Sequence, residues 1–170
     1  TSALVLFSGL WLSGCINEDQ SKPNFLVILT DDMSYRAIGY NNDLVKTPNI
    51  DKLAYEGIIF NRSYTATPVC AASRASLLTG MFPQTNGTVA LNGDAFIKNI
   101  VKENRFKTLP VYLNNAGYTT YFSGKSHLGD PKNYGFQFGE ETFDYDDKRA
   151  FQDVSAYIDD PAFGKKPFFI

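Results

Sequence analysis

The sequence predicts an α/β fold, a mostly parallel sheet covered by helices on both faces. Continuous apolar runs of strand length recur along the chain, as expected of strands buried on both sides. Between them lie segments with helical spacing, bounded by helix start and stop residues. The two kinds of segment alternate, the order that gives parallel strands joined by helical crossovers.

The elements follow in chain order. Asn24-Phe25-Leu26-Val27-Ile28-Leu29 is a buried strand candidate. Thr47-Pro48 supplies an N-cap and a first-turn proline; Ile50, Leu53 and Ala54 keep helical spacing up to Gly57. Ile58-Ile59-Phe60 is a second strand candidate, and Ala71 to Thr79 a short helix closed by Gly80. Thr108-Leu109-Pro110 opens a helix through Val111, Leu113 and Ala116 to Gly117. Tyr118 to Phe122 is a strand, and Ala150 to Ile158 a helix before a last strand at Phe168-Phe169-Ile170. Gly135 to Asp147, rich in glycine, aromatic and acidic residues, reads as loop.

With 44% apolar and 20% charged residues among 170, the composition excludes a wholly disordered chain. Ten Tyr and 14 Phe can fill a sizeable core. Sixteen basic against 18 acidic residues leave a net charge of -2, which gives no bulk attraction for nucleic acid, and no such partner is expected. Two cysteines cannot build a disulfide framework. No apolar run reaches the roughly 18 residues of a complete membrane span.

The chain starts without Met on an apolar stretch, Ala3 to Phe7 and Leu10 to Leu12, like the core of a secretory signal. Leu12-Ser13-Gly14-Cys15 then resembles a bacterial lipobox, which implies cleavage and lipidation at Cys15. The expected division is 1–15 truncated lipoprotein signal peptide, 16–22 polar tether and 23–170 the first part of a catalytic domain. The expected location is a lipid anchor on the periplasmic or outer surface, with the membrane as one partner. The abrupt ends at Thr1 and Ile170 read as those of a fragment.

In open α/β sheets, ligands bind beyond the carboxyl ends of the strands. Thr30-Asp31-Asp32, Pro68-Val69-Cys70 and Gly124-Lys125-Ser126-His127 each follow a strand candidate and should share that edge. Adjacent Asp31 and Asp32 repel unless neutralised, which suits Ca²⁺ or Mg²⁺; a plain loop start capped by Asp32 is the other reading. Cys70 would open a helix, with Arg74 one turn on, where N–H groups and guanidinium favour an anion. A buried structural thiol is the usual reading of a lone cysteine such as Cys70, and a thiolate nucleophile paired with His127 is the chemical alternative. Neither explains carboxylates for a hard cation beside a soft sulfur.

Asp31-Asp32, Thr47-Pro48-Asn49-Ile50-Asp51-Lys52-Leu53-Ala54, Cys70-Ala71-Ala72-Ser73-Arg74-Ala75-Ser76-Leu77-Leu78-Thr79-Gly80 and Gly124-Lys125-Ser126-His127-Leu128-Gly129 closely resemble the type I, formylglycine-dependent sulfatases. The resemblance runs from about Lys22 onward and implies an alkaline-phosphatase-like fold and hydrolysis of sulfate esters. It implies that Cys70 becomes formylglycine, whose hydrate offers two hard hydroxyl oxygens. Asp31, Asp32 and modified Cys70 would then bind the metal, Ca²⁺ rather than Mg²⁺. One hydroxyl attacks sulfur and the other drives release of sulfate, while Arg74, Lys125 and His127 contact the hydrate and the sulfate.

Two departures stand out. Ala72 replaces the proline of the common Cys-x-Pro-x-Arg motif, which favours the anaerobic formylglycine-generating maturase as partner. Ser126 stands where many members carry a bulky aromatic, which suggests altered contacts near the sulfate. The family's later Asp-Asn ligands and its second His and Lys have no counterpart before Ile170. Asn61-Arg62-Ser63 and Asn86-Gly87-Thr88 match the glycosylation pattern by chance. The expected substrate is a sulfated carbohydrate. The alternatives are a phosphonate, phosphodiester or aryl-sulfate hydrolase, and an inert glycan-binding surface lipoprotein.

Overall fold

Local signals set the helices of the computed structural model, which describes residues 22–91, 94–142, 147–160 and 165–170. Cys15, the apolar stretch before it and all of the tether but Lys22 lie outside these residues. Helix α1 spans Pro48–Glu56, starting on the expected proline and stopping at Gly57. Thr47 does not cap it in the expected way. Its hydroxyl donates to Asp51 Oδ1 and accepts from the Gly39 N–H, each at 2.8 Å, so it ties the helix to the preceding turn.

Helix α2, Cys70–Thr79, ends at Gly80, whose φ of 68° is the left-handed cap that glycine adopts without strain. A short α3, Pro83–Asn86, follows. Helix α4, Asp94–Phe96, runs into a π-helical turn at Ile97–Lys102, and neither is legible in the sequence. Helix α5 is Leu109–Asn115, and α6, Asp147–Asp159, extends the expected segment at both ends.

The sheet has strand order β2-β1-β3 and is parallel throughout. The central strand β1, Thr119–Gly124, and the last, β3, Phe168–Phe169, stand where the sequence expects them. Strand β2, Phe138–Glu141, corrects the loop expected over Gly135 to Asp147. Its Gly139 has a φ of 90° and lies so close to the backbone of Phe122 that a Cβ would strike the carbonyl. Such a glycine reads as loop in isolation, yet here it permits the close approach of two strands.

The other two strand expectations are corrected as well. Residues 24–29 form only a bridge from Phe25 to Phe169, extended by Val27 N–H to the Ile170 carbonyl at 2.7 Å. Ile58-Ile59-Phe60 form no strand, and Ile58 and Phe60 are exposed. An apolar run becomes a strand only where a partner edge accepts its backbone groups. Among the described residues, 24–29 meets such an edge on one side and 58–60 on neither.

The core gathers where α2 meets the sheet. Ala71 and Ala75, one turn apart and fully buried, let the helix approach Phe96, Tyr118, Leu128, Tyr134, Phe136 and Phe169. Phe136 centres an aromatic set, edge-on to Phe122 at 5.2 Å and stacked with Phe169 at 5.9 Å. Asn86 is wholly buried, with its amide bonded to Met81 and Thr88, so its glycosylation pattern is indeed incidental. Among the described residues, no helix is long and apolar enough to cross a membrane.

Candidate active site

Contacts between α2 and the loop after β1 bring three remote segments together. Cys70 opens α2, as the sequence requires, and its Sγ lies 3.0 Å from His127 Nδ1 in the loop after β1. Arg74, one turn further along, points the same way. Its guanidinium donates to the Lys125 carbonyl and reaches Asp31 Oδ1 at 3.2 Å. Lys125 Nζ pairs with Asp31 Oδ2 at 2.5 Å. Asp31, Arg74 and Lys125 therefore form one bonded group, and Cys70 with His127 a second, joined to it through the backbone of α2 and of the loop after β1.

The electrostatics follow from those contacts. The Lys125 hydrogen bond, above all, holds the Asp31 carboxyl below its usual range, with Arg74 adding to it against a burial cost. The same bond raises Lys125 above the ordinary lysine value. Arg74 and Lys125 bring two cations to the cluster, which suits an anionic ligand. Arg74 is only 11% exposed in its side chain, so its charge acts at reduced screening.

Asp32 stands apart from the cluster. It follows Asp31 with a φ of 51° and makes no ion pair or side-chain hydrogen bond among the described residues. Among those residues, no three His, Cys, Asp or Glu side chains converge to hold a metal. The donors thus fit a hard divalent ion in kind, since Asp31 and Asp32 offer carboxylate oxygens, but fall short in number.

Ser126 braces the turn from within. Its side chain is buried: Oγ donates to the Gly129 carbonyl at 2.9 Å and accepts from the Leu128 N–H at 3.1 Å. A residue folded under the loop in this way is a turn staple. Glu141, at the end of β2, belongs to none of the motifs that the sequence singles out. Its Oε1 accepts from the backbone N–H of both Ser126 and His127. An acidic residue closing a strand is a signal that could have marked it, had β2 been recognised.

The comparisons decide the family. The sulfatase family matches residues 23–170. The chain belongs to it. Mouse N-acetylgalactosamine-6-sulfatase is 36% identical over 153 residues, which cover 81% of this chain and 29% of that protein. The structure of BT4656 in complex with its substrate D-glucosamine-2-N,6-O-disulfate matches with a TM-score of 0.58 and 34% identity, over 69% of this chain and 23% of that one. The PsFucS1 sulfatase from Pseudoalteromonas sp. matches with a TM-score of 0.60 and 28% identity, over 84% of this chain and 31% of its own. The chain thus spans under a third of the length of these sulfatases, and its parallel sheet with helices is part of their alkaline-phosphatase-like fold.

Proposed function

We propose that the protein to which this chain belongs hydrolyses sulfate esters of carbohydrates. The observation that carries this is the convergence of Cys70, Arg74, Lys125, His127 and Asp31 in a member of the sulfatase family. A sulfate ester needs a nucleophile and several cations around its oxygens, and α2 with the β1 loop supplies both. Sulfated sugars are supported as substrates by the amino-sugar disulfate bound to BT4656 and by the name of the mouse relative.

In this reading Cys70 is oxidised to formylglycine by a maturase, the anaerobic type in view of Ala72. Asp31, Asp32 and the modified residue would hold a divalent ion, Ca²⁺ by preference, which would lower the pKa of a hydroxyl at position 70. The side chains do the rest. Arg74 orients residue 70 from one turn along the helix and offsets its negative charge. Lys125 directs its ammonium to sulfate oxygens. His127, already within hydrogen-bond reach of the position-70 side chain, would accept at Nδ1 the proton that a position-70 hydroxyl gives up. Lipidation at Cys15 would place the enzyme at the periplasmic or outer surface, close to released glycan fragments.

The test uses the full-length protein co-expressed with an anaerobic maturase. Mass spectrometry of the tryptic peptide ending at Arg74 should show formylglycine, and free sulfate should appear from sulfated amino sugars. Cys70→Ala should abolish release. Phosphonate or phosphodiester turnover without sulfate release would select the related hydrolase instead, and glycan binding without turnover the inert lipoprotein.

A further inference from the structure

His127 has a φ of 59°, a left-handed conformation that costs a non-glycine residue about 1 kcal/mol or more. Something must hold it there. The parallel register pairs Gly124, the last residue of β1, with Glu141, the last of β2. This brings the Glu141 side chain under the turn that leaves β1. Its Oε1 takes the Ser126 N–H at 3.1 Å and the His127 N–H as well, so one carboxylate oxygen clamps two successive backbone donors. The other side of the turn is closed by Ser126, through Gly129 and Leu128, and Leu128 is anchored in the core at 1% exposure. The turn is therefore fixed from the sheet edge and from the core, and its free product is the imidazole aimed at Cys70.

We propose that Glu141 is the positioning residue for His127: it holds the Ser126–His127 backbone so that Nδ1 faces residue 70. Glu141 itself touches no reacting atom. The proposal rests on the reading that His127 serves the sulfate-ester site, and it extends that reading to β2, which carries none of the family motifs quoted above. The clamp is geometric, an oxygen at a set reach, so an amide can replace the carboxylate while a shorter acid cannot.

Two measurements on the full-length protein separate this proposal from the proposed activity. In matured enzyme, Glu141→Gln should stay within threefold of wild type in kcat. Glu141→Ala and Glu141→Asp should lose at least tenfold in kcat with KM changed less than threefold, and adding either to His127→Ala should cost nothing further. In protein made without maturase, the pH profile of Cys70 alkylation by iodoacetamide reports the His127 contact directly, whether or not the enzyme hydrolyses sulfate. Glu141→Asp and His127→Ala should shift that profile alike, with Glu141→Gln following wild type. Thermal melts identify any variant that fails to fold, and Glu141→Asp, the smallest change, then decides. A wild-type alkylation profile in Glu141→Asp, or a profile unmoved by His127→Ala, would overturn the proposal. Additive losses in the double variants would do the same.

Discussion

Lys125 Nζ lies 2.5 Å from Asp31 Oδ2, an ion pair between residues 94 positions apart. It ties the end of the first apolar run to the loop after β1, and Arg74 joins it from α2. Three chain segments thus meet at one carboxylate.

That pair predicts a pH dependence of stability. Asp31 titrates below its ordinary 3.8, so its share is complete above that pH and is lost as pH falls through the lowered value. Lys125 titrates above its ordinary 10.5, so its share is complete below that pH and is lost as pH rises through the raised value. Lys125→Met, with chelator present, should cost about 1 kcal/mol or less in urea unfolding across roughly pH 5 to 9, since both partners are about a third exposed. The difference from wild type should vanish in acid. A constant difference down to pH 2 (about two units below the ordinary value) would assign the effect to packing.

For the matured enzyme, Lys125→Ala and His127→Ala should each lower kcat/KM by more than tenfold, about 1.4 kcal/mol of transition-state stabilisation. Steady-state kinetics on a sulfated amino sugar measures this. A change below twofold in either variant would return that residue to a structural role.

Metal binding should respond to the adjacent carboxylates. Asp31→Asn and Asp32→Asn should each weaken Ca²⁺ binding by at least about tenfold in calorimetric titration, because each removes an anionic oxygen from a site that depends on them. Asp31→Asn should also release Lys125 and Arg74, so its loss of activity should exceed what added Ca²⁺ restores.

The β1–β2 contact predicts a severe effect at a position outside the site cluster. In Gly139→Ala the new methyl would strike the Phe122 carbonyl, at a φ of 90° that disfavours any side chain. Chemical unfolding should show a loss of about 2 kcal/mol or more. An unchanged midpoint would mean that β2 does not pair as described.

Much of this protein was legible from residue order alone. Pro48 to Gly57, Cys70 to Gly80 and Leu109 to Gly117 announced their helices because helical hydrogen bonds join neighbours four residues apart, and their stop signals are local. The same locality placed Cys70 and Arg74 one turn apart, and four short motifs pointed to the family. Strands were another matter, since a strand is completed by residues far away in sequence. Only the tertiary structure decided that 24–29 would pair no further than the edge of β3, that 58–60 would pair with nothing described, and that a glycine-bearing stretch would become β2. It alone brought Asp31 to Lys125 and Glu141 to the His127 backbone, because the register between parallel strands, which no local signal encodes, sets which side chain reaches across.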